Sequence, residues 1–146
     1  MNYQFRMRGP VTPTTKGSPY GERQYWEMTE GNLTGEGINA KIAMPGGDWT
    51  LLSTDGFSRA DVRVQFVTDD NELILLKYFG LIEVNEVFRK AAAENKSTDF
   101  EDHYMRMIMH FDTGSEKYQW LNKSFFIAEG QLIGTHEIHY KIYQLL

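Results

Sequence analysis

Four short stretches of the chain place acids, guanidiniums and polar aromatics at spacings that suit proton-transfer chemistry. Asp48 and Trp49 follow a Gly46-Gly47 bend. Asp61 and Arg63 share one face of the alternating run at residues 60–66. Tyr104 and Arg106 share a face of residues 103–111, and Trp120 and Asn122 share a face of residues 118–122. Side chains two apart on a strand point the same way. If those faces look into a barrel, one lumen receives acids, two guanidiniums, a phenol, an amide and two indoles. Asp48 or Asp61 would remove a proton, and Tyr104 with Arg63 or Arg106 would stabilise the enolate that develops. Trp49 and Trp120 would stack on a flat guest, Arg63 and Arg106 would recognise its anionic oxygen, and Asn122 would add an amide contact. The expectation is an acid–base enzyme of isomerase, cyclase or lyase type that needs no cofactor. Its substrate would be a small aromatic or conjugated carbonyl compound.

The same residues have plainer uses. Asp61 could pair with an arginine across the sheet, because buried charges are usually paired. Trp49 and Trp120 could be ordinary core. The alternative function is therefore a non-catalytic barrel that binds a hydrophobic small molecule. A third reading, a structural or oligomerisation module, sits less well with the charged strand faces.

Other chemistries find little support. His136 and His139 are three apart on a presumed strand and face opposite sides, as do His103 and His110, so no metal site is expected. Asp69, Asp70 and Asn71 resemble an acidic calcium loop, but the bidentate glutamate that such a loop requires is missing. They read better as turn formers. Gly31, Gly35 and Gly37 lack the strand and helix that must flank a phosphate-binding loop. No nucleophile elbow appears. The net charge is -5 with acids and bases interspersed, which argues against nucleic acid as a partner. There is no cysteine, no apolar leader at the N-terminus and no run long enough to span a membrane. A cytoplasmic protein without a membrane partner is the expectation.

These residues need strands to hold them. At 146 residues the chain fits a single domain over 1–146 with a sizeable core, and aromatics at 14% favour a β-rich one. Residues 1–7 alternate as a first strand, and 9–19 read as a loop broken by Pro10, Pro13, Gly17 and Pro19. Further strands are expected from residues 23, 38 and 60, with turns at Glu30-Gly31-Asn32 and Asp55-Gly56. Residues 73–79 are apolar without alternation, as in a strand covered on both faces. Residues 84–95 carry a helical apolar stripe of Val84, Val87, Phe88, Ala91 and Ala92. The polar loop 95–102 would form a rim or lid. Met105, Met107 and Met109 make a stripe at strand period that reads as core. A strand at 125–128 ends at a Glu129-Gly130 turn, and residues 136–143 close the sheet. Large apolar residues near the termini (Tyr3, Phe5, Leu145 and Leu146) point to a homo-oligomer, most simply a dimer.

Several of these pieces recur together in one order. GGDW at 46–49, D-x-R at 61–63, TDD at 68–70, Tyr104-Met-Arg106 leading to FDTG at 111–114, and YQWLN at 118–122 resemble the bacterial family called domain of unknown function 3237. Tyr20-Gly-Glu-Arg23 sits where that family carries a G-x-R element. The resemblance runs from about residue 17 to the C-terminus. It implies a small closed or nearly closed antiparallel β-barrel of about eight strands with one helix, and it brings no settled activity.

Overall fold

Period-two burial runs through almost every segment of the chain. In the computed structural model, which describes residues 1–35 and 37–146 except for the side chains at 12–14, nine strands and one α-helix are seen. The strands are β1 (Asn2–Ser18), β2 (Gly21–Gly35), β3 (Ile38–Asp48), β4 (Leu51–Leu52), β5 (Phe57–Thr68), β6 (Leu73–Glu83), β7 (Met105–Asp112), β8 (Phe125–Gly134) and β9 (Glu137–Leu145). The helix α1 spans Glu86–Glu94. Every pairing is antiparallel, in the order β1-β9-β8-β7-β6-β5-β3-β2, and pairing of β2 back to β1 closes the ring. The short β4 bridges β2 and β5 at one end. Closure leaves few free edges, the main hazard of an all-β chain.

One face of each strand fills the barrel. Val62, Val64 and Phe66 of β5, Ile74, Leu76 and Tyr78 of β6, and Met105, Met107, Met109 and Phe111 of β7 are all buried. Tyr3 stacks on Phe5 at 4.5 Å between ring centres and meets Phe66 edge-on at 5.1 Å. Burying a side chain of this size stabilises the fold by about 1.5–3 kcal/mol. The methionine stripe is core, as its spacing predicted.

Several local expectations need correction. Residues 9–18 continue β1 rather than forming a loop, because the opposing run of β2 pairs with them through repeated register shifts. Pro13 as a breaker falls outside the described residues. No turn interrupts β2 at Gly31, where a Cβ would lie 2.7 Å from the Gln4 carbonyl oxygen; the chain instead makes a close strand contact. The apolar run of β6 alternates after all: Ile74, Leu76 and Tyr78 point inward, while Leu73, Leu75 and Phe79 are exposed. Residues 119–123 form a 3-10 turn instead of a strand, and β8 runs on through Glu129-Gly130 to Gly134. Tyr3 and Phe5 are core and cannot serve as an interface.

The helix ends where its caps end it. The Asn85 side chain accepts the Phe88 N–H at 2.9 Å, and Asn95 takes a left-handed conformation (φ 53°) while its N–H reaches the Ala91 carbonyl. Both arrangements satisfy backbone groups that a helix end leaves unpaired. Thr135 ties the helix to the β8–β9 turn: its hydroxyl donates to the Ala92 carbonyl (2.7 Å) and its N–H donates to Asn95 Oδ1 (3.0 Å). The loop after the helix is also anchored, with Thr98 Oγ1 paired to His103 Nε2 at 2.8 Å and accepting the Leu132 N–H at 3.0 Å.

Candidate active site

The site begins with a double irregularity in β3. Its register against β5 shifts between Ile42 and Met44 and again between Met44 and Gly47. One shift would invert the faces; two restore them. Gly46 permits the crossing, since a Cβ there would lie 2.7 Å from Val64 Cβ and 2.9 Å from the Arg63 carbonyl oxygen. Asp48 therefore lands on the buried face, opposite Val62 and in one row with Tyr78. The next residue, Trp49, turns outward, where it is 56% exposed and lies against Tyr25 at 4.5 Å.

Asp48 lines a cavity of about 350 Å³ at the end of the barrel beneath α1. Its walls are mostly apolar, with Met7, Ile82, Phe88, Leu132 and Ile138 prominent; Gln24, Trp26, Thr50, Ser58, Thr135 and His136 supply the other polar groups. Burial pushes the Asp48 carboxyl from the ordinary carboxylate range up to about 7. The Asp61 N–H, which donates to Asp48 Oδ1 at 3.0 Å, opposes that rise, and so does the Arg23 guanidinium. The second oxygen of Asp48 makes no hydrogen bond to any described residue, and it is the oxygen free for a guest.

Gln24 accepts the Trp26 indole N–H on its Oε1 (3.0 Å), which leaves its two Nε2 protons without a partner among the described residues. The Thr50 hydroxyl lies 3.2 Å from the Arg59 carbonyl oxygen and shares a 2.7 Å hydrogen bond with the Ser58 hydroxyl. The Tyr3, Tyr78 and Tyr140 phenols pack together in the barrel, with Tyr78 and Tyr140 5.7 Å apart. Burial raises all three well above the ordinary phenol value, and the charge of Asp48 adds to the rise at Tyr78 and Tyr140.

The eight residues expected to share a lumen do not share one. Only Asp48 lines the barrel-mouth cavity. Asp61, Tyr104 and Arg106 lie on the outer wall, along a shallow groove of about 970 Å³, and Arg63 is exposed on the same wall. Trp120 borders another depression and packs against Phe126 at 6.1 Å. Asn122 is committed to backbone, accepting the Thr113 N–H and donating to its carbonyl (2.9 and 2.8 Å). The pairing by strand parity was right for Asp61 with Arg63, but the faces were inverted: valine and methionine take the interior, and the charges take the outside. Gln24, Trp26, Thr50 and Ser58 escaped the sequence reading. Gln24 and Trp26 do stand in phase with the buried Met28, and that alternation was the available signal.

The family described as "Protein of unknown function (DUF3237)" matches residues 1–145. The chain belongs to that family. A UPF0311 protein of Clostridium acetobutylicum is 29% identical over 109 residues, covering 74% of this chain and 68% of the relative. The PR-toxin biosynthesis cluster protein 7 of Penicillium roqueforti is 27% identical over 121 residues, 76% of this chain and 64% of that protein. Among solved structures, a beta-barrel like protein of Acinetobacter baumannii superposes with a TM-score of 0.78 at 26% identity, over 99% of this chain and 92% of that one. A structure titled an enzyme from Penicillium herquei shares the fold, with a TM-score of 0.63 at 17% identity over 97% and 90% of the two chains. Among the described residues of this DUF3237 protein, no helix is long and apolar enough to cross a membrane.

Proposed function

We propose that this protein is a cofactor-free acid–base enzyme of isomerase, cyclase or lyase type. Its substrate would be a small, uncharged aromatic or conjugated carbonyl compound held in the barrel mouth. The observation that carries the reading is Asp48, a buried carboxyl held at about 7 in an apolar cavity with one oxygen free. A group so tuned is present in both protonation states near neutrality, as a general acid–base catalyst requires. In the proposed step the Asp48 carboxylate takes a proton from the carbon beside the carbonyl. The electron pair of the broken C–H bond passes into the conjugated system as an enolate. The Gln24 Nε2 protons hold its oxygen, and neutral Asp48 returns the proton elsewhere on the system. None of the described residues lining the cavity is Lys or Arg, which favours a neutral guest over a carboxylate or phosphate. The Penicillium herquei protein titled an enzyme and the relative named for a biosynthesis cluster lend support to catalysis over passive binding.

The test is deuterium incorporation from D2O into a panel of cyclic enones and aryl ketones, followed by NMR. Wild type should exceed Asp48→Asn by on the order of a hundredfold for at least one member of the panel. Equal rates throughout, or a carboxyl titration placing Asp48 near 4, would overturn the reading.

A further inference from the structure

The outer wall of the barrel carries a feature that the barrel-mouth chemistry does not use. Strand register aligns Phe79, Ile108, Ile127 and Tyr143 in one row across β6, β7, β8 and β9. All four side chains point to solvent, with Phe79 56% and Ile108 50% exposed. Tyr104 and Leu81 extend the patch beside them. Four aligned large apolar side chains exceed the scattered singles expected on a monomer surface.

The next row on the same face carries charge. Arg106 and Glu129 are cross-strand partners on β7 and β8, yet their side chains stand 3.9 Å apart, at the limit of an ion pair. Tyr143 donates its hydroxyl to Glu129 at 2.6 Å, which places the carboxylate at the edge of the apolar row.

We propose that this face is the contact surface for a second copy of the chain, related by a two-fold axis that runs along the strands between β7 and β8. The row reads aromatic, isoleucine, isoleucine, aromatic, so it is nearly the same in either direction. About a two-fold axis that symmetry makes the row self-complementary, aromatic on aromatic and isoleucine on isoleucine, as an isologous interface requires. The axis lays Ile108 over the partner's Ile127 and Phe79 over the partner's Tyr143. It also brings Arg106 over the partner's Glu129, so each member of this long ion pair gains a second opposite charge as water leaves. None of the residues in these two rows lines the barrel-mouth cavity.

Light scattering after size exclusion at about 10 µM should return twice the chain mass. Ile108→Glu should return the monomer mass, with an unchanged thermal transition or one lowered modestly. Ile127→Lys serves the same purpose if the first variant fails to fold. Arg106→Glu alone should weaken association at least tenfold, and Arg106→Glu combined with Glu129→Arg should restore it. A monomeric wild type overturns the proposal, whether the groove is empty or native mass spectrometry finds a small molecule or another protein on it. A dimer indifferent to Ile108→Glu and Ile127→Lys overturns it equally, because another face then forms the contact.

Discussion

Asp48 brings an energetic cost into the fold along with any chemistry it performs. Its folded value of about 7 stands above the unfolded one near 3.8, so between those values the native state holds a proton that the unfolded state has lost. Stability contributed by this group is therefore full below about pH 4, falls as pH rises to 7, and stays low above it. The whole effect is at most about 4 kcal/mol. Asp48→Asn keeps an oxygen for the Asp61 N–H and removes the titration. The difference in denaturant stability between variant and wild type should favour the variant by a few kcal/mol at pH 8 and shrink towards zero near pH 4. A difference that does not change with pH would mean that Asp48 is not a buried acid. Tyr3 poses a simpler problem, since its hydroxyl is buried with no hydrogen-bond partner among the described residues. An orphaned polar group costs more than it returns. Tyr3→Phe should therefore stabilise the protein by about 1 kcal/mol in urea unfolding, and a loss of that size would reveal a partner for the hydroxyl. Of the candidate site, the sequence made Asp48 legible and little else. The glycines beside it mark an unusual backbone, but whether one or two extra residues enter the strand decides which way Asp48 points. That count depends on the opposing strand, which the local sequence does not contain.

Among the elements, α1 is the one whose position controls the cavity, because its Phe88 and Ala92, with Val84 just before it, form part of the lining. Asn85 holds both ends of that arrangement. Its Oδ1 caps the helix, and its Nδ2 donates to the Asp102 carbonyl at 2.8 Å. Asn85→Ala should lower stability by about 1 kcal/mol, in the range of other lost N-caps. It should also speed amide exchange across residues 88–94 more than in the barrel strands; uniform exchange would show that the helix is held by packing alone. Gly80 in β6 is required for a different reason. A Cβ there would sit 2.1 Å from the Arg106 carbonyl oxygen and 2.6 Å from Met107 Sδ, so Gly80→Ala must push β7 away from β6. A loss of about 1–3 kcal/mol is expected from thermal or urea melting, and a neutral substitution would mean that the two strands part easily. The alternating runs of β5 and β7 were readable because their own residues carry the period; the helix was too, although it is shorter (Glu86–Glu94) and Val87 of its expected stripe is exposed. Residues 73–79 were misread because Leu73, Leu75 and Phe79 are apolar on a face that is open to solvent in the single chain. Residues 9–18 were misread because Pro10, Gly9 and Gly17, of types that usually break strands, are tolerated along the irregular β1–β2 ribbon.

At the scale of the molecule, the ring is closed by the two ends of the chain. β1 pairs with β9, from Asn2 opposite Lys141 to Arg6 opposite Glu137, and with β2 on its other side. The Met1 ammonium group donates to the Ile142 carbonyl (2.9 Å), and the Ile142 N–H donates to the Met1 carbonyl (2.8 Å). Such a seam joins residues more than a hundred positions apart, so its closure loses loop entropy that no local contact offsets. Tyr3 and Phe5 also fill the interior from this seam, where they pack on Tyr140 at 6.3 and 5.7 Å. Lifting β1 would therefore expose two strand edges and empty part of the core together. Opening there should cost nearly as much as opening anywhere. Native-state hydrogen exchange in rising denaturant tests this directly. The amides of residues 3–6 and 138–142 should converge on the same opening free energy and denaturant slope as those of residues 62–66 in β5. A seam that opens several kcal/mol below the β5 amides, with a smaller slope, would instead describe a barrel that breathes at its closure while the remaining sheet stays intact.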